Sequence, residues 1–155
     1  MSTTTIPAIR HSVTVQASPA KAFDLWVGRI AEWWPLDTHS IGQEAGRVPD
    51  TVVFEQRVGG RLFERSDDGE QKWADVLVFE PPHRFVIGWK VNSKWPDATE
   101  VEVTFTAEGD GTRVDIEHRG WERLGETADA WRDRNRIGWQ TLLPHFAAAI
   151  TKGDR

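Results

Sequence analysis

Two residues far apart in the sequence, His118 and Asp75, are the best candidates for acid–base chemistry. In residues 112–119 the apolar side chains alternate with charged ones, and His118 falls in the apolar phase, so we expect its imidazole to point inward. Asp75 points the same way only if the strand at 71–80 buries its odd-numbered side chains. A carboxylate beside an imidazole shifts the pKa of both groups, and such a pair can act as a general acid and base.

His118 also has two interpretations without catalysis. It could be the polar anchor of an otherwise apolar ligand pocket, since small-molecule sites combine apolar walls with a few oriented polar groups. It could equally be a core histidine paired with a backbone carbonyl or a nearby tryptophan, because buried polar groups need partners. If it does act as an acid or base, either Asp75 or His39 could be its partner. All of these alternatives stay open at the level of sequence.

Nine tryptophans are the most unusual feature of the composition. Each can bury roughly 150 to 250 Å², which is more aromatic bulk than a domain of this size needs to close its core. Trp33 and Trp34 stand directly before Pro35 and a polar loop that contains His39. Because adjacent helical residues do not share a face, we expect one of these tryptophans to seal the core and the other to lie at the rim of a cavity.

The predicted ligand-binding residues come from this loop, from the inward faces of strands and from a C-terminal helix. Within that helix Gly138 costs about 1 kcal/mol relative to alanine, which indicates a close approach of either the chain or a ligand. The predicted residues are Trp34, His39, Trp73, Trp89, Val103, Phe105, His118, Trp131, Trp139 and Leu142.

The composition argues against several other functions. The sequence has no cysteine, and its histidines and carboxylates show none of the spacings of metal sites, so we expect no disulfide, no metal and no cofactor. A formal net charge of -5 argues against nucleic acid as a partner. No apolar run is long enough to insert into a membrane, and “MSTTTIPAIR” does not have the pattern of a signal peptide, so we expect a cytoplasmic protein.

The N-terminal third predicts a strand followed by short helices. Residues 9–16 alternate, and a helix then begins after Ser18 with a proline at its first position. Gly28 should end that helix, and a second short turn should end before Pro35. Residues 35–50 show neither the helical nor the strand period, which in a compact domain is typical of a functional loop.

The remainder predicts an antiparallel meander closed by one long helix, and therefore a single α+β domain over residues 1–155. Pro144 should kink the helix. The predicted strands lie at 51–58, 61–66, 71–80, 84–91, 98–107 and 112–119, and the helix lies at 127–150.

Several stretches carry a family pattern: “VTVQASPAKAFDLW”, “WWP...HSIG”, “VFEPPHRFVIGW” and “TEVEVTFTAEGDGTRVDIEHRGWERLG”, with a later “GW” at 138 and 139. They resemble the bacterial activator of heat-shock-protein-90 ATPase-like family of the START-like superfamily, also called SRPBCC or Bet v-like. The resemblance covers residues 9 to 150. It implies a helix-grip fold, in which a curved antiparallel sheet of six to seven strands wraps around a long C-terminal helix, with two short helices after the first strand.

The resemblance also implies three functions. Members bind apolar molecules in a cavity between sheet and helix, so we expect a small hydrophobic or amphipathic ligand and, more readily than an enzyme, a binding module. Some members close polyketide rings, so the alternative is a cyclase- or hydrolase-like enzyme that uses His118 as acid or base. The third alternative is a chaperone-ATPase-interacting protein. We do not favour that partner, because the eukaryotic activator uses an additional N-terminal domain for which this sequence has no room. A homodimer is a further option.

Overall fold

The computed structural model describes residues 6–92 and 94–153. Within these ranges seven strands form one antiparallel sheet in the order β1-β7-β6-β5-β4-β3-β2. From β2 onward each strand pairs with its neighbour in the sequence, so the predicted meander is confirmed. The strands are β1 (Ile9–Val15), β2 (Thr51–Phe54), β3 (Arg61–Ser66), β4 (Gly69–Glu80), β5 (Arg84–Trp89), β6 (Thr99–Glu108) and β7 (Gly111–Arg119).

Two short helical segments follow β1. The first helix, α1 (Pro19–Val27), starts where the Ser18 hydroxyl oxygen accepts a hydrogen bond from the backbone N–H of Lys21 at 3.2 Å, as the sequence predicts. A 3₁₀ turn (Ile30–Glu32) comes next. The sequence did not predict α2 (Ile41–Glu44), a single turn inside the loop at 35–50. Its signal was present, because the Ser40 hydroxyl caps the backbone N–H of Gln43 in a Ser-x-x-Gln pattern.

The C-terminal helix, α3 (Ala128–Gly153), lies along the inner face of the curved sheet and runs through Pro144 without ending. A 3₁₀ segment (Trp121–Thr127) leads into it from β7. A curved antiparallel sheet around a long C-terminal helix is the helix-grip architecture, so the expected fold is confirmed. Among the described residues no helix is both long and apolar enough to cross a bilayer.

Strand β4 departs from strict alternation because two bulges interrupt its pairing. Trp73 is skipped in the register with β3, and Leu77 is skipped in the register with β5. A bulge adds one residue and so changes which side chains face inward. As a result Trp73, Ala74 and Val76 are buried, whereas Asp75 is exposed. The sequence left open whether odd-numbered or even-numbered side chains of β4 face inward. Because of the bulge, odd-numbered Trp73 and even-numbered Ala74 and Val76 are all buried.

Aromatic rings fill the core between the sheet and the helices. Under α1, the rings of Phe23, Phe85 and Phe105 lie 5.1 to 6.3 Å apart. Trp26 continues this cluster toward α3, where its ring centroid is 4.9 Å from that of Phe146. This half of the interior is packed by the protein's own side chains, at separations typical of stabilising aromatic pairs.

The outer face of the central strands is charged. Arg119 on β7 pairs with Glu117 at 2.6 Å and, across the strands, with Glu102 at 2.7 Å and Glu100 at 3.2 Å. Arg84 on β5 pairs with Glu102 at 2.8 Å. Such cross-strand pairs keep this face solvated, so the apolar surface of the sheet is its inner face.

Candidate functional site

A pocket of about 350 Å³ lies between the inner face of β4 and β5, the N-terminal half of α3 and the loop that carries α2. This places it where the cavity was predicted, between the sheet and the C-terminal helix. Its volume is at the lower end of the range for small-molecule sites. The apolar part of its wall consists of Trp34, Ile41, Trp73, Trp89, Val91, Trp131, Ile137, Trp139 and Leu142. The remaining lining residues are Thr38, His39, Ser40, Gln43, Glu44, Asn92, Arg134, Asn135, Gly138 and Thr141.

Trp33 and Trp34 divide the two roles that the sequence proposed. Trp33 is buried against Trp26 and Phe146, with ring centroids 4.9 and 5.2 Å away, and its indole N–H donates to the carbonyl of Leu25 at 3.0 Å. Trp34 instead faces the pocket. The structure thus places Trp33 in the core and Trp34 on the pocket wall.

Three of the buried wall indoles are fixed by hydrogen bonds to the protein. The N–H of Trp34 donates to the carbonyl of His39 at 2.6 Å. The N–H of Trp73 donates to Glu64 Oε1 at 2.6 Å. The N–H of Trp139 donates to His118 Nδ1 at 3.0 Å. The orientation of these rings, and with it the shape of the pocket, is thus set by polar partners within the protein.

His118 lies behind this wall and does not line the pocket. Its side chain is 0% exposed, and the ring of Trp121 covers it at a centroid distance of 4.2 Å. The Thr99 hydroxyl donates to the carbonyl of Trp89 at 3.0 Å, so at 2.7 Å it accepts from His118 Nε2. His118 is therefore a neutral imidazole with the proton on Nε2 and with both nitrogens paired.

Burial lowers the pKa of His118 to about 3, because the charged form loses its hydration and gains no anionic partner. An acid or base at neutral pH needs a pKa near the working pH and contact with the substrate. His118 meets neither condition. The expectation that it anchors a ligand or works as an acid or base is wrong, and the alternative of a paired core histidine is correct.

Asp75 does not face the pocket either. Its side chain is 53% exposed and pairs with Lys72 at 3.0 Å on the outer surface. The bulge at Trp73 places it there, since Trp73 and Ala74 both turn inward and Asp75 then falls in the outward phase. The acid–base pair of Asp75 with His118 is therefore excluded.

Val103 and Phe105 on β6 are also displaced from the predicted site. Both are buried, and Phe105 packs on Phe23 at 5.1 Å in the filled half of the core. Their inward orientation was predicted correctly, but α1 packs against β6, and neither residue lines the pocket. The other predicted residues that the structure brings together on the pocket wall are Trp34, His39, Trp73, Trp89, Trp131, Trp139 and Leu142.

Glu64 organises the loop side of the pocket, and sequence reasoning missed it. Its buried carboxylate accepts hydrogen bonds from the backbone N–H groups of Ile41 at 2.7 Å and Gly42 at 2.9 Å, in addition to the indole of Trp73. A Cβ at Gly42 would collide with the carbonyl of Arg47 and lie 3.0 Å from Glu64 Oε2. The sequence contained one indication of this role: Glu64 lies two residues after Leu62, so alternation along β3 places its carboxylate on the same inward face.

The same loop is joined to α3 across the pocket. His39 Nε2 lies 3.1 Å from the Thr141 hydroxyl, which itself donates to the carbonyl of Gly138 at 3.0 Å. Glu44 forms an ion pair with Arg134. Burial lowers the pKa of His39, so its imidazole is neutral at neutral pH and donates from Nε2 to Thr141. The loop thus spans from the sheet to α3 and covers one side of the pocket.

Gly138 leaves room in the pocket. A Cβ built on it would meet no atom of the described residues within 4 Å outside the local helix backbone and its chain neighbours. No described residue therefore packs closely against Gly138, which lines the pocket. Metal chemistry has no candidate here, since within residues 6–92 and 94–153 no three histidines or carboxylates gather in a group that could hold an ion.

Comparison with known proteins gives one family. The model of the activator of Hsp90 ATPase homolog 1-like proteins matches residues 16–151. No curated protein matches the sequence at a significant level.

Among solved structures the chain is similar to CalC, a self-sacrificing resistance protein from Micromonospora echinospora, with 34% identity, a TM-score of 0.72, and coverage of 95% of this chain and 96% of that one. It is similar to Txn09, an anthrahydroquino-γ-pyrone synthase, with 35% identity, a TM-score of 0.57, and coverage of 86% and 88%. The Aha1 dimer from Colwellia psychrerythraea shares the fold alone, with 17% identity, a TM-score of 0.64, and coverage of 94% and 96%.

Proposed function

The chain belongs to the activator of Hsp90 ATPase homolog 1-like family, and we propose that it binds a small, flat, hydrophobic or amphipathic molecule in the tryptophan-lined pocket. The observation that carries this proposal is the open space in front of Gly138. A helical glycine costs about 1 kcal/mol relative to alanine, and no contact with the described residues explains it. A ligand in that space would account for it.

The chemistry of the wall favours an aromatic ligand. Five tryptophans present their rings to one pocket of about 350 Å³, and flat rings pack best against other flat rings. Polar side chains, among them Gln43, Asn92 and Arg134, lie on the same pocket. A ligand with an apolar ring system and a polar end matches this distribution. Txn09, a synthase of a fused aromatic product by its name, is 35% identical and supports the same class.

A substitution that fills the pocket with a larger side chain tests the proposal. Gly138→Leu places a side chain in the space that the ligand would use, and its Cβ would meet none of the described residues within 4 Å. Titration of the wild-type protein with polycyclic aromatic compounds should quench tryptophan emission at micromolar concentration. Gly138→Leu should weaken binding at least tenfold while the protein stays folded. Ala148→Leu, on the exposed side of the same helix, should bind as the wild type does. If no compound binds, or if Gly138→Leu binds as tightly as the wild type, the proposal fails.

Enzymatic chemistry in the same pocket is the second candidate, and His39 is the observation that favours it. Its imidazole is on the wall, and burial lowers its pKa. Because Nε2 donates to Thr141, Nδ1, which lies 2.7 Å from the Thr38 hydroxyl, is the nitrogen that could act as a base. The synthase relative supports this candidate as well. Conversion of a bound compound by the wild type, with loss of conversion but not of binding in His39→Gln, would establish it.

Two protein partners, a second copy of this chain and a chaperone ATPase, are still predictions. The Colwellia relative is a dimer, and its 17% identity extends only the fold to this chain. Light scattering of the purified protein tests a homodimer, and the rate of a purified Hsp90 ATPase with and without this protein tests the chaperone alternative.

A further inference from the structure

Trp89 differs from the other buried tryptophans of the pocket wall in the state of its indole N–H. Trp34, Trp73 and Trp139 each donate to a protein acceptor. The Nε1 atom of Trp89 is buried and has no hydrogen-bond partner among the described residues. A buried donor without a partner is unfavourable, and in folded proteins it is rare.

Within the described part of the chain, the ring of Trp89 is surrounded by other tryptophans of the wall. Its ring lies 5.7 Å from that of Trp139, 6.1 Å from that of Trp73 and 6.3 Å from that of Trp34, measured between centroids. These neighbours are fixed by their own hydrogen bonds. The backbone of Trp89 is fixed too, because its carbonyl accepts from Thr99 at 3.0 Å. Among the four buried wall tryptophans that the structure describes, Trp89 is thus the one whose indole N–H has no partner, and its side chain lines the pocket.

We propose that the ligand of this pocket carries a carbonyl or other oxygen acceptor on its ring system, and that Trp89 Nε1 donates a hydrogen bond to it. This inference rests on the proposed function and adds the functional group that the ligand must have. It predicts discrimination within the aromatic class, because a ligand without the acceptor would leave the same donor unpaired in the complex. Sites that hold a buried donor reject analogues that lack its acceptor.

Fluorenone carboxylate and fluorene carboxylate are a suitable pair of probes. They have nearly the same shape and charge, and they differ in that a carbonyl replaces a methylene group. The two probes differ in hydration, but this difference is the same for every protein variant, so it cancels when the variants are compared by the ratio of the two dissociation constants. Trp89→Phe deletes the N–H and keeps an aromatic ring. Trp95→Phe is the matched control, since the N–H of Trp95 is also buried without a partner among the described residues but Trp95 does not line the pocket.

Calorimetric titration of each protein with each probe gives the ratio of the two dissociation constants. In the wild type and in Trp95→Phe the ratio should favour fluorenone carboxylate about tenfold more than in Trp89→Phe, which corresponds to about 1.4 kcal/mol. Equal ratios in all three proteins would overturn the proposal. If Trp89→Phe does not fold, incorporation of benzothienylalanine at this position keeps the bicyclic ring and removes only the N–H, and the same ratios decide.

The outcomes separate this inference from the proposed function. Binding of both probes with no dependence of their ratio on Trp89 contradicts the acceptor alone and leaves the pocket as a binding site. Absence of binding by either probe and by the wider set of polycyclic compounds contradicts both.

Discussion

The indole N–H of Trp139 donates to Nδ1 of His118 at 3.0 Å, and this bond connects α3 to β7 behind the pocket. On its other side the imidazole donates to Thr99, whose hydroxyl donates to the carbonyl of Trp89. Two walls of the pocket, Trp139 and Trp89, are therefore joined through one buried histidine. His118 supports the site without touching what the site holds.

Removal of this histidine should destabilise the protein. His118→Leu leaves the Trp139 N–H without an acceptor, and we expect a loss of about 2 kcal/mol in the free energy of unfolding. Urea denaturation followed by fluorescence measures it. His83→Leu is the control, because His83 is exposed and surface changes are usually within about 0.5 kcal/mol. Equal stability of the two variants would show that the network contributes nothing.

The stability of the protein should also fall on acidification. The pKa of His118 is about 3 in the folded state and near its ordinary value of 6.5 after unfolding. Below pH 6.5 the unfolded chain binds a proton that the folded protein does not, so the stability present above pH 6.5 is lost as the pH falls toward 3. The slope reaches about 1.4 kcal/mol per pH unit for this one group. His118→Gln should lack this component between pH 6 and 4, and an unchanged slope would contradict the assignment.

The fold could be predicted from the sequence because its elements have regular periods and standard boundaries. Ser18 marks the start of α1, and alternation marks the strands. The prediction of side-chain orientation failed to decide in β4, where a bulge at Trp73 changes which side chains face inward. Sequence periodicity cannot locate such a bulge, because the extra residue is only defined by the partner strand. For this reason the orientation of Asp75 stayed open.

The site was predicted in part. The wall tryptophans follow from aromatic residues on inward faces, whereas the position of His118 behind Trp139 depends on how α3 packs. Val103 and Phe105 point inward as predicted, but which half of the interior is filled depends on where α1 crosses the sheet. Glu64 was missed because its partners, the N–H groups at 41 and 42, are distant in sequence.

Glu64 should control the order of the loop. Glu64→Gln exchanges one acceptor oxygen for an amide that faces N–H donors, so we expect faster hydrogen exchange at Ile41 and Gly42 by an order of magnitude or more. The exchange rates in α1 should stay unchanged. Glu70→Gln, which alters an exposed carboxylate, is the control. Unchanged exchange at 41 and 42 would show that the carboxylate does not hold the loop.

The contact of His39 with Thr141 should affect ligand exchange more than stability. Thr141 is exposed, and Thr141→Val removes the acceptor for His39 Nε2 with little change in shape. We expect a change below about 1 kcal/mol in the free energy of unfolding and a several-fold faster dissociation of a bound aromatic probe in stopped-flow fluorescence. An unaltered dissociation rate would mean that this contact does not retain the ligand.

The most direct test of a ligand pocket walled by tryptophans is a heteronuclear NMR titration of the indole N–H groups with a polycyclic aromatic probe. We predict large shifts for Trp34, Trp73, Trp89, Trp131 and Trp139, which line the pocket. The signals of Trp26 and Trp33, which pack against Phe146 in the filled half of the core, should not move. Shifts confined to Trp26 and Trp33, or no shifts at any concentration that keeps the probe soluble, would contradict the account.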